Sequence, residues 1–312
     1  MNQSANVDPI LEKSTRIIHH VASLTTPPPE DLPTHVYHYT TLEGFKSIVM
    51  TNELWATHVG VLNDSEEITH AARLTRDILH GVTRPLDPAQ SEFKQTVLRV
   101  LDEMIDTPSG LMGGLSAKLF NFFVVSFSAD GDLLSQWRGY GSKLAPIAIE
   151  YDFTRLYGAK VHDRLQPMFQ LANVVYDDQR KHLVLNTLVE LILEALQGQD
   201  PSLFTFFVYT LLFHFPQFKH SSFKGENEFR YIYYRFNKPD PEGLKLDFRA
   251  RDNVLLPYAH TVLDGQWPIT KILVGPTVDQ DATLRSVQYF VTHQQSPYNE
   301  IPVEKSKIPF RG

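Results

Sequence analysis

Residues 202–218, SLFTFFVYTLLFHFPQF, carry seven aromatic rings in 17 positions and no charged side chain unless His214 is protonated. A stretch this apolar must be buried, because in water it would expose a patch larger than soluble proteins carry. It is shorter than the ~20 apolar residues that cross a bilayer, and His214 and Pro216 interrupt it. The segment therefore predicts a core helix with a large interior around it. An apolar fraction of 42% over 312 residues supplies that interior.

The flanking pattern sets the class. HVYHYT (35–40) alternates with period two and leads into a helix begun by Thr40 or Thr41, with Glu43 behind it. LWATHVGV reads as a second strand, Asn63 and Asp64 as a capping turn, and Ser65 as the start of a helix that Glu66 and Glu67 suit at its positive end. SEFKQTVLRVLDEMID (91–106) and residues 178–218 have helical spacing. NFFVVSFS, APIAIEYD, EFRYIYYRF (228–236), GLKLDF (243–248) and ITKILVGP (269–276) read as strands, KPDPEGLK (238–245) as a hairpin loop, and a late helix begins at Asp281. Strands at both ends with helices gathered between them predict one α+β domain over 35–312. Its helical insertions fall at about 65–118 and 155–222, after an N-terminal helix and proline-rich spacer over 1–34.

Composition narrows the function. A net charge of −7 with interspersed signs does not suit wrapping of an extended nucleic acid duplex. The absence of cysteine removes disulfides, thiolate metal sites and thiol nucleophiles. The N-terminus has no basic region followed by an apolar run, so a cytoplasmic protein without a membrane partner is expected.

Chemistry concentrates in three stretches: His38 with Tyr37 and Tyr39; SFSADGDLLSQWRGYG with Trp137, Arg138 and Tyr140; and FKHSSFKGENEFRYIYY with Glu226, Glu228 and Arg230. With Glu226 extended, Glu226 and Glu228 would face one side of a strand, where their repulsion needs a donor or ligand. The bland alternative is a solvated turn with Glu228 paired to Arg230. Lys219, His220 and Lys224 fit either a helix-end cap or an anionic acceptor.

In order, YHYTTLEGFKSIVMTNELWATHVGVLNDSEE, VVSFSADGDLLSQWRGYG and FKGENEFR resemble the bacterial domain of unknown function 2971 family, over roughly 35–276. More distantly, His38, Tyr140 and Glu226-Asn227-Glu228 resemble the order of motifs in ADP-ribosyltransferases of the histidine, tyrosine, glutamate type. That resemblance implies a central, mostly antiparallel, split sheet with helical insertions, and NAD as the substrate. Glu228 would stabilise a ribosyl oxocarbenium ion, His38 would hold the ribose, and Arg138 would grip the pyrophosphate. Tyr140, Tyr39 or Trp137 would face nicotinamide, and Glu226 would orient an acceptor on a protein or nucleic acid. Hydrolysis of NAD is the variant without an acceptor, and the family's bacterial setting implies stress or phage defence. No metal is expected in this reading. Two other readings stay open: a metal-dependent hydrolase or nuclease using His38, Asp64, Glu226 and Glu228, and a noncatalytic nucleotide-binding module.

Overall fold

A computed structural model of the chain describes residues 9–62, 65–106, 121–141, 145–157, 169–200, 204–234, 245–251, 254–263, 265–293 and 298–309. In chain order the described elements are α1 (Pro9–Thr25), β1 (His35–Thr41), α2 (Leu42–Thr51), β2 (Leu54–His58), α3 (Ser65–Gly81), α4 (Pro88–Asp106) and β3 (Phe122–Ser128). These are followed by α5 (Leu134–Gly141), β4 (Pro146–Asp152), α6 (Phe153–Tyr157), β5 (Phe169–Asn173), α7 (Asp178–Leu196), α8 (Phe204–Leu212) and β6 (Glu228–Tyr234). The chain ends with β7 (Leu246–Arg251), β8 (Val254–Thr261), β9 (Ile269–Val274), α9 (Gln280–His293) and β10 (Val303–Lys305).

The strands form a single ten-stranded sheet, antiparallel throughout except where β10 runs parallel to β9. Strand β3 is its seam. β6 pairs with all seven residues of β3, from Phe122↔Tyr234 to Ser128↔Glu228. A strand has only two edges, so β1 and β2 share the other one, β1 through Tyr37↔Ser128 and β2 through Thr57↔Val124 and His58↔Phe123. The sheet is therefore mixed with helices, mostly antiparallel, and forked where β1 and β2 part.

Side chains of β3 alternate between two cores. Phe122 and Val124 point with Ile232 and Tyr234 into a cluster built with Ile18 of α1, Ala71 of α3, Phe93 of α4, Leu188 of α7 and Phe207 of α8. Phe123, Val125 and Phe127 point with Tyr231 and Tyr233 toward Phe45 of α2, Leu156 of α6 and Val287 of α9. Both faces are thus covered, which explains why NFFVVSF is a continuous apolar run rather than an alternating one. The aromatic segment expected in the core is there: Phe207, Phe213, Phe215 and Phe218 are buried, and Tyr209 and Phe213 pack on Tyr234 and Phe122 beside β6.

Local chemistry sets the element ends. Thr41 Oγ1 accepts from Gly44 N at 3.1 Å, capping α2. The late helix is capped two residues earlier than expected, by Asp279 accepting from Ala282 N at 2.8 Å. The stretch 178–218 is not one helical block: α7 ends at Leu196, Gly198 takes φ +69, and Phe215–Gln217 forms a 3-10 turn. α1 packs on α7 and α8, with Ser14 and Thr210 hydroxyls 2.6 Å apart. Asn63, Asp64 and most of the expected hairpin loop at 238–245 lie outside the described residues. No helix among the described residues is long and apolar enough to cross a membrane.

Candidate functional site

Near the end of β3 the helices stand away from the sheet and leave a cleft of about 190 Å³. Its floor comes from the face that carries Phe122 and Val124 farther along. Ser126 and Ser128 of β3 sit opposite Arg230 and Glu228 of β6 in strict register, and Tyr37 of β1 sits opposite Ser128. Tyr39 follows on the same face of β1, Ser135, Gln136 and Gly139 of α5 form the roof, and Leu62, Lys219 and Glu226 complete the wall.

A four-residue charge cluster organises the floor. Arg230 Nε and Nη2 donate to the two oxygens of Glu228 at 2.8 and 3.0 Å, and Arg230 Nη1 donates to Pro216 O at 2.9 Å. Lys219 Nζ lies 3.1 Å from Glu228 Oε2 and 2.6 Å from Glu226 Oε2, and its ammonium also lies 4.9 Å from the Phe223 ring centroid. Burial alone would push the Glu228 carboxyl up. The Arg230 and Lys219 charges, with hydrogen bonds from Arg230 and Ser126, outweigh burial and hold it at about 2. A carboxylate has about four lone-pair sites, and those donors engage them all. Glu226 differs: its side chain is 25% exposed against 6% for Glu228.

Glu228 does pair with Arg230, as the bland alternative had it, but the pair is buried rather than part of a solvated turn. Glu226 is not extended, since it ends the 3-10 turn Ser221–Glu226. Asn227 then takes a left-handed φ of 46, so the chain reverses and both carboxylates reach one ammonium. Ser128 Oγ donates to Glu226 O at 2.7 Å and Ala129 N to Asn227 O at 2.8 Å, tying this turn to the end of β3. Lys219 is the compensating donor that the paired carboxylates required. The sequence offered Lys219 as a helix-end cap or a contact for an anionic acceptor, and it is neither here: its ammonium bridges two glutamates of its own chain.

The remaining expected residues separate. His38 is not brought to the cleft. It pairs with Ile149 while Tyr37 pairs with Glu150, so its side chain leaves the opposite face, packs 5.9 Å from Phe127, and places Nδ1 2.9 Å from Ser126 O in the fork. Burial lowers its pKa, the Ser126 carbonyl opposes that, and Arg249 adds to it, so the ring is neutral at pH 7.

Trp137 is a packing residue rather than a cleft wall. It is 3% exposed, its indole N–H donates to Asp132 Oδ1 at 2.7 Å, and its ring meets Tyr39 edge-on at 4.7 Å. A Cβ on Gly275 would lie 2.6 Å from Trp137 Cε3, so this glycine lets α5 dock. Tyr39 lines the cleft with its hydroxyl engaged, donating to Asp130 O at 2.8 Å and accepting from Leu133 N at 3.0 Å. Arg138 is exposed on α5, and the Tyr140 side chain lies outside the described residues.

The segment that supplies the charged wall is also the one that a family model matches. Residues 136–231 match the family model for proteins of unknown function DUF2971. The matched segment holds Lys219, Glu226, Glu228 and Arg230, whereas Tyr37, Tyr39, Ser126 and Ser128 lie before it. No curated protein and no solved structure matches the chain.

Proposed function

We propose that the cleft takes the nicotinamide riboside end of NAD and promotes cleavage of its N-glycosidic bond, with transfer of ADP-ribose to a macromolecule or to water. The observation that carries this reading is the pair of carboxylates around the Lys219 ammonium, beside a hydroxyl-lined cleft. A volume near 190 Å³ suits one ring-sized group, since a ~150 Å³ cavity holds a benzene. The rest of the dinucleotide would then lie outside it, past the exposed Arg138.

In this reading Glu226, and not Glu228 as the sequence expectation had it, meets the ribosyl cation. Glu228 is saturated with donors and fixes Lys219 and Arg230, so it is a positioning residue. Glu226, the more open carboxylate, is the group that meets the ribosyl cation. The bond from C1′ to the pyridinium nitrogen breaks with its electron pair going to nitrogen, which leaves neutral nicotinamide. The acceptor hydroxyl or water attacks C1′ and releases its proton.

The deciding experiment is nicotinamide release from NAD in the presence of cell lysate, by wild type and Glu226→Gln, each first checked by thermal melt. We expect turnover to fall about a hundredfold in the variant. Wild-type protein that never consumes NAD, or a fully active variant, overturns the proposal. A noncatalytic nucleotide-binding module is the second reading, favoured by the saturation of Glu228, and NAD raising the melting temperature without turnover would select it. The metal-dependent reading is weakened because the Lys219 ammonium stands between the two carboxylates where a cation would sit.

A further inference from the structure

Three described aromatic residues line the cleft, and two of them have nothing flat to offer a ligand. Phe127 is 1% exposed, with its ring against His38, Tyr151 and Tyr231 on the far side of the sheet. Tyr39 is 3% exposed, covered by Trp137 and tied down at both sides of its hydroxyl. Tyr37 is the partly exposed one.

Its ring is held in an unusual way. Gly131, in the turn after β3, lies so close that a Cβ there would come within 2.3 Å of Tyr37 Cε1, so the turn backs one side of the ring and the rest lines the cleft. The hydroxyl points away, donating to Glu150 Oε2 at 2.7 Å. Glu150 is 5% exposed on β4 and is itself fixed by Thr270 Oγ1 at 2.8 Å and Lys271 Nζ at 3.3 Å. Such a carboxylate, buried one strand away from the cleft and joined to it through a tyrosine hydroxyl, serves to hold that ring in place.

We infer that Tyr37 is the aromatic wall that receives the planar pyridinium ring, and that Glu150 is its positioning residue. This rests on the reading of the cleft as an NAD site. A tyrosine ring attracts a cation, so the oxidised, positively charged nicotinamide ring gains from the stack and the neutral, puckered dihydro ring does not. The consequence is a preference for NAD over NADH that resides in one side chain. Glu150 does not touch the ligand, and it acts by keeping the ring from swinging into the space the ligand needs.

The test is equilibrium binding of NAD and of NADH to wild type, Tyr37→Leu, Tyr37→Phe, Glu150→Gln and the Tyr37→Phe/Glu150→Gln double variant, with folding checked by thermal melt. Wild type should prefer NAD by about fivefold, which corresponds to ~1 kcal/mol. Tyr37→Leu should erase that preference. Tyr37→Phe and Glu150→Gln should each weaken NAD binding by a similar factor, and the double variant should be no worse than either, because both remove one link. If Tyr37→Leu does not fold, Glu150→Gln decides the matter by weakening NAD more than NADH.

A preference unchanged in Tyr37→Leu, or simple additivity in the double variant, overturns the inference even if nicotinamide is released. Loss of the preference in Tyr37→Leu, with a wild type that prefers NAD but never cleaves it, would uphold Tyr37 and remove only the catalytic part of the reading. Binding of neither dinucleotide removes both.

Discussion

Tyr37 and His38 are consecutive in β1, yet their side chains leave the sheet on opposite faces, Tyr37 beside Ser128 and Glu150 and His38 against Phe127. The side that holds the charge cluster is the side of Tyr37. His38→Ala should therefore leave NAD binding and nicotinamide release within twofold of wild type. It should lower stability by ~1–3 kcal/mol, through loss of the bond to the Ser126 carbonyl in the fork. Denaturant unfolding and a turnover assay on the same preparation check this, and a well-folded variant that no longer binds NAD would contradict it.

Lys219 is 5% exposed and is paired with two carboxylates. Replacing it with methionine leaves Glu226 and Glu228 facing each other with Arg230 alone as counterion. A loss of about 3 kcal/mol or more is expected, the usual cost of breaking a buried ion pair. The double variant Lys219→Met/Glu226→Gln should recover part of that loss, because one of the stranded charges is gone. Urea midpoints of the three proteins give the comparison.

Acid should act through Glu228. Its carboxyl sits at about 2 in the folded chain against 4.5 ordinarily, so the folded state binds its proton less readily than the unfolded one. The stabilisation is complete above about pH 4.5 and drains away as pH falls from there toward 2. Glu228→Gln should melt lower than wild type at pH 7 and lose less on acidification through that window. Melting curves that fall in parallel for the two proteins would be inconsistent with this account.

Gly275 faces Trp137, and an added methyl would sit 2.6 Å from the indole and 2.7 Å from Pro146 Cγ. Gly275→Ala should therefore push α5 off the sheet, costing ~1–3 kcal/mol as overpacking does. Because Ser135, Gln136 and Gly139 of α5 roof the cleft, nucleotide affinity should fall as well. Amide exchange should quicken in α5 and stay unchanged in α7, whose packing on α1 and α3 does not involve this contact.

Elements whose pattern is local were legible in the sequence. The period-two run at Val36–Thr40, the cap at Thr41 and the apolar stripe of residues 178–196 each follow from neighbours within a few positions. The aromatic helix was legible because nothing but burial suits seven rings in 17 positions. β5, β8 and β10 were missed: β10 has three residues, β5 is short, and β8 carries Pro257 inside it, which argues against a strand.

At the site, the pairing of Glu228 with Arg230 was legible as an alternative, whereas the extended placement of Glu226 beside Glu228 did not hold, because Glu226 ends a 3-10 turn and Asn227 takes a left-handed φ. Which face of β1 met them depended on the Tyr37↔Ser128 register, a non-local fact, and a one-residue difference there decides between Tyr37 and His38. Trp137 was misread for a related reason, since its docking glycine, Gly275, lies far along the chain.

The forked strand also limits how this cleft can be moved. A fragment of residues 136–231 would contain all four charged side chains, yet it would lack β1 and β3 and would stop inside β6, before Tyr234. Its Glu228 and Arg230 would have no Ser126 or Ser128 beside them, and the aromatic helix would have no Phe122 to cover. A graft into another scaffold would have to transplant three strands drawn from both ends of the linear order, so the portable unit is a piece of sheet and not a stretch of chain.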